Sequence, residues 1–474
     1  MQQIDMIISA PHFYTMEGDG VGYLADAAMA VDRGKIIAIG KKRDITAAFA
    51  GEIVLEKNHH MILPGFIDAH MHTDIDVLRG LAQDTKHWMM YGLSPFSNVL
   101  TGEEETLGGR LGYVEALRGG TTTFGDFNEN IEETCRFVEK MGVRACLTPE
   151  VRDAAFKIYE PGELYEFDTA MGERSFGDNL RIFRQWHGKA QGRIRIFFGP
   201  QGADFCSLPL LQRIKKAAVE NNTKIHMHVQ QGDRETYQIV KRYGKRPIAW
   251  LDEIGYLDSY LLAVHLTDAN EEEIRLAAQR GTSMVACPGS IGIIDGIVPP
   301  AAVFQEAGGW VGLGSDQAPG NNCHSMINEM KLAALFTKIK YQDPEKLPAW
   351  KALRMATIEG ARALGMDGEI GSLEPGKRAD FIAVDLEQPT MMPVFTEPMR
   401  NMVPNLVYSA SGSAVETVAV DGRLLLGKGR HLTEDEEMIK AQAQECAQVI
   451  GKKGAAQFWR VNGSNAAMMR EGKL

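Results

Sequence analysis

The sequence predicts an α/β protein: a (β/α)8 TIM barrel accompanied by a small second domain of strands built from both chain ends. Three observations predict it. Strand-like and helix-like segments alternate through the middle of the 474 residues. Short strand runs punctuated by Gly and Asp open the chain and return near its end. Histidines recur where the middle strands stop.

In chain order, "DMIISA", "AAMAVDRGKIIAIG" and "EIVLEK" read as a small antiparallel sheet within residues 1–60. "GSLEPGKRADFIAVD" and "VETVAVDGRLLLGKG" repeat that pattern within 369–430, so the two pieces can close into one domain. Between them lies a barrel domain over 61–368, in which about eight βα units fit between residues 62 and 340. "TTTFGDF" precedes the helical "IEETCRFVEKMG"; "KIHMHV" precedes "RETYQIVKRYG"; "WVGLGSDQ" precedes "HSMINEMKLAALFTKIK". Apolar, β-branched strands in repeated βα units imply a parallel sheet, and their number favours a closed barrel over a doubly wound sheet. After "YLLAVHL", Asp268 and Glu271 have capping-box spacing and Gly281 fits a helix stop. "AWKALRMATIEGARALG" reads as one helix with Trp350, Leu353, Thr357, Ala361 and Leu364 on one face. The tail, 431–474, is helical, opening with Thr433 and Glu436 in capping-box register.

Composition narrows the function class. The chain is 44% hydrophobic and 24% charged, with net charge −11. Such an acidic surface argues against nucleic-acid or anionic-membrane partners. The N-terminus lacks the pattern of a signal peptide, and no run approaches the eighteen or so apolar residues of a membrane span. The six cysteines are scattered without a CxxC pair and read as reduced thiols. The expected compartment is the cytoplasm.

The chemistry collects at strand ends, which converge on one mouth of a parallel barrel. In "PGFIDAHMHTDIDVLRG", His70 and His72 stand two residues apart, so both point to one side while Met71 points to the other. His228 follows at the fifth strand, His265 at the sixth and Asp316 at the eighth. Three histidines and one carboxylate make a site for one divalent ion, Zn²⁺ first, with Fe²⁺, Mn²⁺ and Co²⁺ as the other options. Such an ion lowers the pKa of a bound water to roughly 7. Asp316 can then take the water's proton, and His265 can polarise the electrophile. His226, two residues before His228, is left outside the metal shell.

With these residues in place, the sequence resembles the amidohydrolase superfamily, in the branch of triazine hydrolases, cytosine and guanine deaminases and methylthioadenosine/S-adenosylhomocysteine deaminases. "PGFIDAHMH…LRG", "EALRGGTTTFGD", "HMHVQQ", "AVHLTDAN", "GLGSDQAPGNN", "MATIEGARALG" and "GSLEPGKRADFIAVD" carry the resemblance in order over nearly the whole chain. It implies a barrel with a discontinuous β-sandwich, and a metal held by His70, His72, His228 and Asp316 with His265 beside it. The fourth strand, "IRIFFGPQG", lacks the lysine that bridges two ions in binuclear relatives, so one ion is expected. By the same resemblance Trp88 belongs to a loop that lids the pocket. Phe127, Gln201 and His324 lie near other strand ends as further substrate contacts. Homodimers or larger assemblies are common among such relatives, and a homo-oligomer is expected.

One departure bears on the reaction. The branch carries His-x-x-Glu at the fifth strand, its Glu protonating a ring nitrogen; here that position is Gln231. An amide donates a hydrogen bond but no proton at neutral pH. Glu235 is the nearby candidate to replace it. A carbonyl substrate needs such an acid less, so the preferred reading is a metal-dependent amidohydrolase cleaving an amide, urea or carbamate-like C–N bond of a small molecule, with Asp316, His265 and Gln231 catalytic. The runner-up is an aminohydrolase or chlorohydrolase acting on a nitrogen heterocycle. A metal-free scaffold is the remaining alternative.

Overall fold

The computed structural model describes residues 1–86, 88–129, 131–155, 162–461 and 463–474. Eight parallel strands form the barrel: Phe66–Met71, Thr121–Asn128, Arg144–Val151, the pair Ile194–Ile196 and Gly199–Pro200, Ile225–Val229, Leu261–His265, Ser283–Ala286 and Val311–Leu313. Two seams close it. Bridges Phe198↔Ile225 and Gly202↔His228 join the fourth strand to the fifth, and Met71↔Asp316 joins the first to the eighth. The strands are buried on both faces, which accounts for their continuous apolar sequence.

The strand-rich domain is one nine-stranded sheet containing strands from both chain ends. It is mostly antiparallel, but Gln2–Tyr14 also pairs in parallel with Phe49–Glu56 and His60–Pro64. Alternation sorts its side chains: Met6, Ile8, Ala27 and Met29 meet Phe381 and Ala419 in one core, while Ile7, Ala28 and Ala30 pack toward Ile45 of the helix Lys42–Ala48. The strand His60–Pro64 pairs with Phe381–Asp385, which stitches the two chain ends together.

A buried ion triad ties the two domains. Arg144, on the third barrel strand, donates from Nε to Asp380 Oδ2 (2.7 Å) and from Nη2 to Asp421 Oδ1 (2.7 Å). Its side chain is wholly buried. Arg144→Met is expected to destabilise the protein by about 3–5 kcal/mol, because it strands two carboxylates away from water. Denaturant unfolding followed by circular dichroism checks this.

Three local expectations shift. The predicted helix over 349–365 is two helices, Ala349–Met355 and Ile358–Ala363. Thr357 lies between them at φ −135°, its hydroxyl donating back to Leu353 O (2.6 Å), a local bond that competes with the helix. The capping box after the sixth strand is Asn270 with Glu273, not Asp268 with Glu271. The tail helix, Glu436–Val461, starts after Asp435, whose carboxylate accepts from Met438 N–H (3.0 Å), so Thr433 does not cap it. Among the described residues, no helix is long and apolar enough to cross a membrane.

Candidate active site

Barrel closure assembles the site. Asp316 N–H donates to His70 O (2.9 Å) and His72 N–H to Asp316 O (3.1 Å), so the ends of the first and eighth strands lie side by side. Asp316 Oδ1 is then 3.6 Å from His70 Nε2 and 3.7 Å from His72 Nε2. His228 arrives from the fifth strand with its Nε2 3.2 Å from His72 Nε2. One donor atom each from His70, His72 and His228 lies within 4.8 Å of the others; the same holds for His70, His265 and Asp316. His265 stacks on His228 with centroids 5.6 Å apart. Met71, as alternation requires, is buried in the apolar core.

The far side of each imidazole fixes which nitrogen faces inward. His72 Nδ1–H donates to Phe127 O (2.6 Å) and His228 Nδ1–H to Gln201 O (2.7 Å). Only a protonated nitrogen can meet a carbonyl, so both Nε2 atoms turn lone pairs toward the centre. His70 Nδ1 lies 2.9 Å from His226 Nε2, and His226 Nδ1 lies 3.0 Å from Thr148 Oγ1. His226 therefore sits one layer deeper and orients His70. His70 Nε2 and both ring nitrogens of His265 are buried with no hydrogen-bond partner. Lone pairs converging at 3.2 Å with orphaned nitrogens beside them, and a carboxylate oxygen within 4 Å, suit one divalent ion such as Zn²⁺.

Burial keeps these rings neutral. It is the largest cause lowering His70 and His228 well below the ordinary 6.5, with the neighbouring imidazoles adding to it. His226 falls to about 3 and His265 to about 4, again chiefly by burial; Asp316 opposes the shift at His265. His324 moves the other way, to about 9: burial lowers it most, but Asp76, Glu115 and Asp68 together outweigh burial. NMR titration is expected to find His226 and His265 neutral at pH 6 and His324 still charged at pH 8.

Two of the converging residues have left-handed backbones: His265 at φ +79° and Asp316 at φ +61°. For non-glycine residues this costs about 1–3 kcal/mol each, and such strain collects at functional sites. Asp316 is further pinned by Ser290, whose Oγ–H donates to Oδ2 (2.5 Å), leaving Oδ1 toward the imidazoles.

Above the cluster opens a cavity of about 1380 Å³. His72, part of the cluster, lies at its floor; Gln231, Trp88, Phe127, Arg152 and Tyr165 are among the other residues that line it. Trp88 and Phe127 both line it, and Phe127 also orients His72 through its carbonyl. Gln201 acts through its backbone carbonyl; its buried side chain does not line the cavity. His324 also lies elsewhere than expected. It is buried between Ser315 Oγ (2.5 Å) and Asp76 Oδ2 (2.7 Å), behind the eighth strand, and touches no part of the cavity wall. Glu235 does not take the place of the missing acid: it is buried beneath the loop, accepting from Gln230 N–H (2.6 Å). Sequence reasoning missed Ser290, Thr148 and the orienting role of His226. The first two carry no motif, but His226 shares the alternating face of His228. His226→Phe is expected to weaken metal affinity about 10–100-fold, read by competition with a chromogenic chelator.

The comparisons fit this geometry. The profile of the amidohydrolase family matches residues 61–425. A 5′-deoxyadenosine deaminase of Methanosarcina mazei is 32% identical over 448 residues, covering 94% of this chain and 98% of its own. A 5-methylthioadenosine/S-adenosylhomocysteine deaminase of Desulforudis audaxviator is 33% identical over 436 residues, covering 92% and 96%. Among solved structures, an adenosine deaminase from Xanthomonas campestris with bound zinc superposes with a TM-score of 0.87 at 28% identity, covering 95% of this chain and 99% of its own. Atrazine chlorohydrolase from Arthrobacter aurescens, complexed with zinc, shares the fold at a TM-score of 0.83 and 22% identity, covering 93% and 100%.

Proposed function

The chain belongs to the amidohydrolase family, a metal-dependent hydrolase of carbon–nitrogen bonds other than peptide bonds, and from that premise we propose that it removes the exocyclic amine of an adenine-type nucleoside. The observation that carries this reading is the likeness, over more than nine-tenths of the chain, to deaminases of 5′-deoxyadenosine and of methylthioadenosine and S-adenosylhomocysteine. The preference for an amide, urea or carbamate rested on Gln231 alone. The relatives favour the heterocycle aminohydrolase instead, and the proposal follows them.

We assign His70, His72, His228 and Asp316 to hold one divalent ion, Zn²⁺ by the donor set. When bound, the ion supplies an acidified water at neutral pH. The Asp316 carboxylate would take a proton from such a water and return it to the amine, which would leave as ammonia. His265, neutral and without a partner of its own, offers its N–H to the oxygen that develops charge. Gln231, half-buried where it lines the cavity, would hydrogen-bond the ring nitrogen next to the carbon under attack. Its amide cannot transfer a proton, so the ring nitrogen would receive the one left on the attacking oxygen, and the two protons of the water would end on ammonia and on the ring.

The test is ammonia release by zinc-loaded protein from adenosine, 5′-deoxyadenosine, methylthioadenosine and S-adenosylhomocysteine, run beside anilides, phenylureas and carbamates. Nucleoside turnover is expected. Turnover confined to the carbonyl substrates would overthrow the proposal.

A further inference from the structure

The C-terminal helix Glu436–Val461 does more than cover apolar surface. At about 1.5 Å per residue its 26 residues span about 39 Å, enough to traverse the barrel's height. It runs antiparallel to the barrel helix Gly102–Arg118. Arg118 Nη1 meets Glu436 (2.6 Å) near one end and Lys453 meets Glu104 (3.3 Å) near the other. Barrel helices run opposite to their strands, so Glu436 lies at the bottom face and Lys453 at the mouth.

At the mouth the helix locks onto the loop that carries Trp88. Gly454 makes this possible, for a Cβ there would stand 2.4 Å from Phe96 Cδ1 and 2.8 Å from Pro95 O. One turn later Phe458 packs on Phe96 with centroids 5.4 Å apart. Beyond the helix, Asn465 Nδ2 donates to Gln83 O (3.4 Å), on the same loop. Between these contacts Gln457 lines the cavity beside Ser94, Ser97 and Asn98, and no described residue hydrogen-bonds its amide.

A nucleoside that presents its exocyclic amine to the cluster would have its far end within this cavity, whose lining includes Gln457 beside Ser94, Ser97 and Asn98. We propose that the C-terminal helix is a wall of the substrate site and that Gln457 is a specificity-determining residue that hydrogen-bonds the substituent on the 5′ carbon. The inference rests on the nucleoside reading above and deepens it: substrates with a polar 5′ extension gain from Gln457, whereas a bare 5′ methyl does not.

The experiment compares S-adenosylhomocysteine with 5′-deoxyadenosine in zinc-loaded wild type and in Gln457→Ala. Loss of one hydrogen bond made equally in ground and transition states is expected to raise KM for S-adenosylhomocysteine about fivefold to tenfold, with kcat unchanged. The values for 5′-deoxyadenosine should stay within about twofold, and Gln457→Asn should recover part of the difference. If the wild type turns over only one of the pair, the other is read as a competitive inhibitor, with the same expected ratio. Equal changes for both ligands, or none for either, would overturn the inference and leave the nucleoside reading intact. No nucleoside turnover or inhibition by the wild type would end both.

Discussion

Asp316→Asn is expected to lower kcat for ammonia release by roughly 10²–10⁴-fold, the span that general acid–base catalysis contributes. The geometry sets this size. Oδ2 is held by Ser290 Oγ–H at 2.5 Å and Oδ1 faces the imidazoles, so the carboxylate is fixed where it would meet both the ion and the proton of its water. An amide in its place can still accept from Ser290, but it then turns an NH₂ toward His70 and His72, which lie 3.6 and 3.7 Å from the present oxygen. The substitution removes the proton carrier and one negative charge from the metal shell together. Metal content by plasma mass spectrometry separates the two effects. A variant that binds a full equivalent of zinc and still turns over at the wild-type rate would show that the proton travels by another route. Ser290→Ala, which leaves the carboxylate charged but unpinned, should cost far less.

Gln231→Glu should act in the opposite direction. The wild-type amide steadies the ring nitrogen without protonating it; a carboxylic acid at the same place would deliver the proton as the bond to the attacking oxygen forms. An increase in kcat of about 10²-fold is expected, at the lower bound of what a positioned acid supplies. The gain should fade on the alkaline side as the new acid ionises, giving a limb in the pH–rate profile that the wild type lacks. The neighbouring Glu235 cannot mask the result, because it is buried beneath the loop and bonded to Gln230 N–H. If the substitution slows nucleoside turnover and leaves the pH profile flat, Gln231 has a role other than facing the ring nitrogen.

Much of this site could be read before any coordinates. Histidines two apart on a strand share a face, so His70 and His72 followed from alternation alone. His228, His265 and Asp316 followed from their places at the ends of the fifth, sixth and eighth strands of a parallel barrel. These signals are local, written in periods of 2 and 3.6 residues. Trp88 was expected from the family resemblance and Phe127 from its place near a strand end; both line the cavity.

Depth and long-range pairing were not legible. His226 and His228 obey one alternation rule, yet the first orients His70 from below and the second faces His72, since which layer a side chain reaches depends on strand stagger and closure. Gln201 serves through a carbonyl, a group every residue has and no sequence motif marks. His324 looked like a rim residue, but the turn after the eighth strand folds it inward against Asp76, 248 positions earlier in the chain. The tail's route from Arg118 to the cavity mouth likewise depends on a glycine notch that has meaning only once Phe96 is beside it. Local periodicity thus determined which residue types face inward on each element. Tertiary closure decided which of them meet, because contacts between residues more than a hundred positions apart are set by how the barrel joins its first strand to its last.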